Sequence, residues 1–273
     1  MRINNTFLTG TVTGRVQLFT KNDNGIKVYT RAAFSINVCR RKFMNADRTE
    51  LGPMVWEIVY IQTRNEDMIE IAKDIKTGDL VAVVGTVSSK LIPDTVECPE
   101  CHCQVQSQEN NIAYVDPFSI IILEKNPDIR EADRKTQEMV DFSDFVVFAG
   151  NVCQDPIVAV YNDGKTACKF QVASDRLRRI KEDRPDIKAD FPWVRCSDRN
   201  AKEYSEVLKC GSEVVIVGAL ETKSRSREFS CPNCLHRFSN TQMMMHIIPY
   251  HIEYGENCNI PEPESGGNET NRS

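Results

Sequence analysis

The sequence predicts a mainly β protein built as a tandem repeat of one small barrel. Two observations lead to this prediction: similar segments recur in the same order about 133 residues apart, and apolar residues alternate with polar ones within each copy. Alternation with a period of two is typical of strands with one face in a core. A recurring order of segments indicates a duplicated domain. The length of 273 residues is sufficient for two domains of ordinary size.

The repeat is clearest in the second half of each copy. Residues 76–85 read like residues 209–218, an offset of 133. The same offset carries the first Cys-Pro-x-Cys element onto the second, and Cys103 onto His236. Smaller changes of offset upstream pair Trp56 with Trp193, Phe34 with Phe170 and Gly10 with Gly150. A series of matches in one order indicates duplication rather than chance.

Within each copy the predicted order is strand, strand, strand, helix, strand, strand. Asn24-Gly25 and Asp163-Gly164 are typical of hairpin turns between the first strands. Apolar residues at helical spacing precede Gly78 and Gly211, where a left-handed residue at the end of a helix is expected. This is the layout of a five-stranded OB barrel, with another family of β-barrels as the alternative. The predicted fold is therefore two tandem OB-fold barrels, each with a short helix and an extended last hairpin.

Composition divides the chain into four segments. The first barrel is predicted at residues 1–125, a charged linker with a helical pattern at 126–141, the second barrel at 142–254, and an acidic tail at 255–273. The tail is rich in Pro, Glu, Gly and Asn, which predicts disorder.

The charge of the chain is uneven. The formal net charge is −5, and residues 253–273 contribute five Glu against one Arg, so the body is close to neutral. Basic clusters lie at residues 40–42, 176–184 and 223–227, which permits a nucleic-acid groove. There is no apolar run that predicts a signal peptide or a membrane span, so a cytoplasmic location is expected. In that compartment 11 cysteines indicate metal or free thiols.

Two segments resemble the bacterial single-stranded DNA-binding protein family. Residues 148–156, with Gly150-Asn151 and Asp155-Pro156, resemble its opening strand, and the run from Trp56 through Gly78 to Gly85 is similar to its Trp strand, helix and fourth strand. The resemblance implies single-stranded DNA binding without catalysis, in replication, recombination or repair. It also implies four OB domains per assembly, here through a homodimer. The tail lacks the family's apolar tip, and the Cys-Pro-x-Cys elements are not standard for it.

An OB groove needs cations for phosphates and flat side chains on which bases stack. The predicted nucleic-acid-binding residues are Tyr29, Arg31, Arg40, Arg41, Lys42, Phe43, Trp56, Arg64, Lys165, Lys169, Arg176, Arg178, Arg179, Trp193, Arg195 and Arg199. Trp56 and Trp193 are favoured most, because they match the family's Trp strand. Apolar neighbours of Trp56 leave a core position as the alternative.

The spacing Cys98-x-x-Cys101 and Cys231-x-x-Cys234 is typical of zinc knuckles, and a structural zinc site needs four ligands. One zinc ion shared by these four cysteines is the simplest prediction, because neither copy contains a second knuckle. The alternative is two separate ions that also use Cys103 and His236, with distant ligands such as His246, His251 or Cys258. Free thiols or disulfides are the remaining possibility.

The sequence does not predict an enzyme. Nucleobase deaminases combine paired cysteines with an H-x-E triplet, but the triplet of this chain, His251 to Glu253, lies downstream of both cysteine pairs, which is the wrong order. There is no P-loop and no HExxH motif. Two other functions remain open: a zinc-stabilised interaction scaffold of a replication or conjugation complex, and an RNA-binding OB protein.

Overall fold

The computed structural model describes residues 3–43, 51–92, 95–106, 110–162, 164–176 and 188–259. Within these ranges no helix has the length and apolar character that crossing a bilayer requires.

The first barrel closes from five long strands. In chain order its elements are β1 (Asn4–Asp23), β2 (Ile26–Phe43), β3 (Leu51–Thr63), α1 (Glu66–Lys73), β4 (Leu80–Ile92), the short strands β5 (Thr95–Glu97) and β6 (Gln104–Gln106), and β7 (Asn110–Glu124). β1 pairs with β2 and β4, and β7 joins β3 to β4. The barrel therefore closes in the order β1-β2-β3-β7-β4.

The second barrel repeats this closure. After α2 (Ile129–Glu138) and α3 (Val140–Ser143) come β8 (Asp144–Val152), β9 (Ile157–Val160), β10 (Thr166–Asp175), β11 (Ala189–Asp190), β12 (Trp193–Ser197), α4 (Asp198–Val207), β13 (Glu213–Ser230) and β14 (Arg237–Tyr254). The main strands close as β8-β10-β12-β14-β13. The predicted pair of OB-fold barrels, each with an extended last hairpin, is confirmed.

Local sequence explains these elements. Phe34, Ile36 and Val38 are buried and alternate with outward-facing polar residues along β2. The Asn65 side chain accepts a hydrogen bond from the N–H of Met68 at 3.1 Å and begins α1. Gly78 has φ +94°, but α1 ends at Lys73. The left-handed glycine therefore forms the turn into β4, and the prediction that it ends the helix is wrong.

The first strands of the two barrels pair with each other. β1 and β8 run antiparallel, from Asn4 opposite Phe148 to Leu8 opposite Asp144, and Thr6 lies opposite Val146 at the centre. Gly10 and Gly150 are repeat equivalents, an offset of 140, so Thr6 pairs with its own equivalent. A pseudo-twofold axis therefore passes between these two residues, and the barrels share one 12-stranded sheet.

The strand register corrects one match of the repeat. Phe34 lies opposite Ile61 in the first barrel, and its equivalent Phe170 lies opposite Val194 in the second. Trp193 therefore corresponds to Tyr60, and the pairing of Trp193 with Trp56 is wrong. The error arises because the segments that join these strands differ in length between the copies, and an aromatic match does not fix a register.

Two buried ion pairs connect the barrels reciprocally. In the first, Arg40 Nη2 lies 2.9 Å from Glu57 Oε1, and Glu57 Oε2 accepts a hydrogen bond from the N–H of Thr222 in the second barrel at 3.3 Å. In the second, Arg176 Nη2 lies 2.8 Å from Asp190 Oδ1, which accepts from the N–H of Ser89 in the first barrel at 2.7 Å. Each barrel thus binds the fourth strand of the other.

The residues of the two ion pairs are repeat equivalents. Glu57 and Asp190, like Ser89 and Thr222, are 133 residues apart. The Arg40 and Arg176 side chains are only 7% and 6% exposed. Their guanidinium groups face carboxylates at the interface between the barrels, and this arrangement does not favour the predicted contact with nucleic acid.

Arg176→Met leaves the Asp190 carboxylate buried without its cation. We expect this variant to lose about 3–5 kcal/mol of unfolding free energy, measured by urea titration. Arg134→Met is the control, since Arg134 pairs with Glu138 on an exposed helix face and its loss should stay below about 1 kcal/mol. Equal losses in the two variants would contradict the proposed interface.

Asn4 and Asp144 occupy equivalent places beside the pseudo-twofold axis. The Asn4 side chain donates to the Val87 carbonyl and accepts from the Val87 N–H, both at 2.8 Å. Asp144 Oδ1 accepts from the N–H of Leu220, the equivalent of Val87, at 2.9 Å. The other carboxyl oxygen of Asp144 is buried and has no partner among the described residues. Burial raises the pKa of Asp144 to about 7, so below that pH a neutral carboxyl takes the place of the Asn4 amide.

Asp144→Asn should therefore stabilise the protein, and more so at higher pH. The unfolded chain releases the Asp144 proton near its usual pKa of about 4, while the folded chain retains it up to about 7. Stability is lost as pH rises through this window, by roughly 4 kcal/mol when complete. Urea titrations should show a larger gain for the variant at pH 8 than at pH 5. Asp141→Asn, at an exposed position, should lack this dependence, and a gain for Asp144→Asn that does not change with pH would refute the assignment.

Candidate nucleic-acid interface and metal centre

A groove of about 790 Å³ lies along the outward face of the second barrel. Strands β10 and β12 form its floor. Val194 and Cys196 of β12 point into the core, so the alternation of the strand turns Trp193 and Arg195 outward.

The groove is lined by cations. Lys169 and Arg195 are direct cross-strand neighbours on β10 and β12. The lysines and arginines that line the groove are Lys90, Lys169, Arg195, Lys223, Arg225 and Arg227. Among the described lining residues none carries a carboxylate. Glu221 lies beside the groove, 3.2 Å from Arg195 and 3.4 Å from Lys223. Because this is one carboxylate against six cations, the groove retains a large excess of positive charge.

Aromatic side chains share this groove. Trp193 is partly exposed, and Lys169 Nζ lies 5.3 Å from its ring centroid. Phe191 and Tyr161 are 40% and 50% exposed. The Gln171 side chain donates to the Phe191 carbonyl at 2.8 Å and fixes the backbone beside Trp193. Flat exposed rings next to cations are the combination that single-stranded nucleic acid requires.

The first barrel completes one wall of the groove. Ser89, Lys90, Leu91 and Asn111 all line it. The Phe191 N–H donates to Ser89 Oγ at 2.7 Å, and Asn111 Nδ2 donates to the Phe191 carbonyl at 2.6 Å. The position of an aromatic residue in the second barrel therefore depends on contacts from the first.

The equivalent face of the first barrel has a different character. By strand register, Tyr60 takes the place of Trp193, and Gln62 takes the place of Arg195. Ala33 corresponds to Lys169. Trp56 faces outward and is partly exposed, at the position that Ala189 occupies in the second barrel. Two cations of the second groove are thus replaced by uncharged residues in the first.

The other predicted nucleic-acid-binding residues whose side chains the structure describes do not line this groove. On the long hairpin of β1 and β2, Tyr29 lies 4.3 Å from Lys73 Nζ, and Arg31 stacks at 3.6 Å on Phe19. Lys42 and Lys165 are exposed, while Arg41 and Arg64 are partly buried. Arg178 and Arg179, and the side chains of Phe43 and Arg199, lie outside the described residues.

Sequence reasoning missed several groove residues. Lys223, Arg225 and Arg227 belong to a noted basic cluster but were not assigned to binding. Their spacing of two places them on one face of a strand, a signal that could have found them. Lys90 carries no comparable signal, because it reaches the groove from the other barrel.

The two Cys-Pro-x-Cys turns meet. The Sγ atoms of Cys98, Cys101, Cys231 and Cys234 all lie within 4.8 Å of one another. The Sγ–Sγ distance is 3.7 Å from Cys98 to Cys234 and 3.5 Å from Cys101 to Cys231. Four thiolates at 2.3 Å from a tetrahedral ion would stand about 3.8 Å apart. The donor set and its spacing fit one shared metal ion.

Both turns have the same backbone geometry. The N–H of Cys98 donates to the Cys103 carbonyl, and that of Cys231 to the His236 carbonyl, both at 2.9 Å. His102 and Leu235, which follow the second cysteine of each turn, have φ of 57° and 60°. In the second turn, the N–H of Cys234 lies 3.5 Å from Cys231 Sγ and is the main group that lowers the pKa of Cys231, to about 6. The second turn therefore favours the thiolate of Cys231, the form that binds a metal, whereas desolvation and the neighbouring thiols raise the pKa of Cys234 to about 12.

The histidines considered as alternative zinc ligands make contacts other than with the four clustered cysteines. The His236 ring stacks on Phe238 at 6.2 Å, His251 pairs with Glu253, and His246 lines the groove. Cysteines of both turns interleave in one cluster, which does not favour two separate ions. Cys103 is the exception, because its Sγ lies 3.2 Å from Cys231 Sγ.

The second barrel is similar to a known protein family. Residues 143–232 match the model of the Single-strand binding protein family. The second barrel is thus similar to this family over about a third of the chain. The match runs from Ser143, one residue before β8, to Pro232 in the second cysteine turn, so it contains β10 and β12 of the groove floor. The family is one of binding proteins, in agreement with the prediction that the chain is not an enzyme.

Solved structures extend the likeness to both barrels. The wild-type single-stranded DNA binding protein from Thermus aquaticus aligns with a TM-score of 0.57 at 16% identity, over 97% of each chain. A deletion mutant of that Thermus aquaticus protein aligns with a TM-score of 0.55 at 16% identity, over 96% of this chain and 98% of that one. At this identity the likeness shows the fold. None of the curated proteins compared with the chain matches it.

Proposed function

We propose that the protein binds single-stranded DNA along the groove of the second barrel and catalyses no reaction. The observation that carries the proposal is the groove itself, where six cations and exposed aromatic rings meet without a carboxylate among the described lining residues. The family match to the barrel that forms this groove points the same way.

Each group in the groove has a part in binding. Lys169, Arg195 and Lys223 neutralise phosphates, and this releases counterions from the strand. Trp193 and Phe191 stack on bases, at about 1–3 kcal/mol for each stacked base. Because stacking and phosphate contacts do not read base edges, binding tolerates any sequence.

Replication, recombination or repair is the setting that we propose, in a cytoplasm where the free cysteines stay reduced. An interaction scaffold is less favoured, because a cationic groove with exposed aromatic rings is suited to binding a polyanion. RNA binding uses the same phosphate and base chemistry and is distinguished by experiment below.

The double variant Lys169→Ala/Arg195→Ala should weaken binding to oligo-dT strongly. Removal of two phosphate contacts should also reduce the slope of log K against log salt by about 1.4, at roughly 0.7 for each contact on a single strand. Fluorescence anisotropy with labelled oligo-dT, at salt concentrations from about 50 to about 200 mM, measures both the affinity and the slope.

The matched control is Arg130→Ala/Arg134→Ala, which removes two cations from exposed positions of α2 outside the groove lining. It should bind like the unaltered protein. Absence of binding to oligo-dT by the unaltered protein at low salt would favour the scaffold, and tighter binding of oligo-U would favour RNA.

We also infer that the metal is a single zinc ion held by Cys98, Cys101, Cys231 and Cys234. Four cysteine thiolates are a typical structural zinc set. A small apolar cluster that includes Val105 packs around the buried pair Cys98 and Cys231 and excludes water from one side of the site. When bound, the ion supplies a link between the last hairpins of the two barrels.

This link bears on the groove. β13 carries Lys223, Arg225 and Arg227 along the groove wall and then reaches the second cysteine turn. The zinc site therefore holds the end of the strand that supplies these cations.

Elemental analysis should find one equivalent of zinc per chain. Removal of zinc by a strong chelator should lower the unfolding temperature and weaken oligo-dT binding, because the end of β13 loses its anchor. Cys234→Ser should behave like the metal-free protein, whereas the exposed Cys210→Ser should retain zinc. Two equivalents of zinc would contradict the shared site.

A homodimer with four OB domains completes the proposal. The outward face of β1, β4 and β7 exposes Phe7, Ile121 and Leu123, which are 39%, 54% and 46% exposed. Apolar area of this kind suits a contact between copies. Sedimentation at twice the chain mass is expected, and a monomer at all concentrations would contradict it.

A further inference from the structure

A fifth sulfur lies against the cysteine cluster. Cys103 Sγ is 3.2 Å from Cys231 Sγ and 3.3 Å from Cys101 Sγ. Both distances are shorter than those between the facing cysteines of the two turns, 3.5 and 3.7 Å. The Cys103 residue is partly exposed, whereas Cys231 is fully buried.

This sulfur is present on one side of the pseudo-twofold axis alone. The repeat equivalent of Cys103 is His236, whose ring stacks on Phe238 with an angle of 12° between the planes. A tetrahedral zinc ion is complete with the four cysteines of the two turns. Cys103 is therefore left as a free thiol in contact with two ligand sulfurs, and solvent reaches it.

We propose that Cys103 is an oxidation site that exchanges the metal link for a covalent one. The inference rests on the proposed zinc site. The oxidant is a peroxide: the Cys103 sulfur attacks one oxygen of hydrogen peroxide as its thiol proton is lost, the O–O bond breaks, and Cys103 sulfenic acid and hydroxide form. The Cys231 thiolate then attacks the Cys103 sulfur and expels the second hydroxide, which forms the disulfide. Two sulfurs lose two electrons in all, and the peroxide becomes two hydroxide ions, which take up the proton released by the Cys103 thiol.

The positions of Cys103 and Cys231 determine how the disulfide affects the link between the two barrels. Cys103 belongs to the hairpin of β5 and β6 in the first barrel, and Cys231 to the hairpin of β13 and β14 in the second. The disulfide removes one of the four zinc ligands, so the ion is released. The same bond joins the same two hairpins, so the barrels remain linked after the metal has left.

The test uses the full chain as isolated, with its zinc content measured first. Hydrogen peroxide is added, zinc release is followed with a chromogenic chelator, and tryptic peptides are mapped by mass spectrometry. We expect one equivalent of zinc to be released together with a Cys103–Cys231 disulfide. Cys103→Ser should contain one equivalent of zinc. It should release the ion at about one tenth of the rate of the unaltered protein or more slowly still, because no free thiol lies next to its ligand thiolates. Cys210→Ser, with an exposed cysteine elsewhere removed, should behave like the unaltered protein.

The other outcomes separate the two proposals. A chain isolated without zinc refutes the metal site, and with it this inference. Equal rates of zinc release from the unaltered chain and from Cys103→Ser refute the role of Cys103 and leave the metal site standing. Loss of zinc from Cys103→Ser before any oxidant is added would make Cys103 a ligand, which also overturns the inference.

Discussion

The antiparallel pairing of β1 with β8 is the constraint on which the other features depend. Because Thr6 faces its own repeat equivalent Val146, the two barrels are related by a pseudo-twofold axis. That relation brings the backbone N–H of Ser89 to Asp190 and the N–H of Thr222 to Glu57. It also brings the two Cys-Pro-x-Cys turns together. A strand pairing near the start of the chain thus determines contacts made by residues far along the sequence.

Symmetry is retained where the barrels touch and lost where they face solvent. The buried arginine–carboxylate pairs occur in both copies, since each satisfies a backbone N–H of the other barrel. The groove floor does not repeat, because Ala33 and Gln62 replace the cations of the second barrel. Duplication therefore supplied a frame for the shared interface, while the outward faces diverged toward one cationic groove.

Much of the fold follows from the sequence, because the alternation of apolar and polar residues and the constant offset between the two copies can be read from the residues themselves. The cysteine cluster was predicted for the same reason, since its spacing repeats. The roles of Arg40 and Arg176 could not be predicted, because their arrangement depends on backbone groups of the other barrel. Trp56 was matched to Trp193 by residue type, yet the register that the core imposes pairs Trp193 with Tyr60.

The central claim is that single-stranded DNA lies in the groove of the second barrel, and tryptophan fluorescence tests it directly. The chain has two tryptophans, so Trp56→Phe leaves Trp193 as the one reporter of the groove, and Trp193→Phe leaves Trp56. Titration with oligo-dT should quench Trp56→Phe strongly, since bases stack on Trp193, and should change Trp193→Phe little. Strong quenching of Trp193→Phe with none in Trp56→Phe would contradict the account and place the strand on the first barrel.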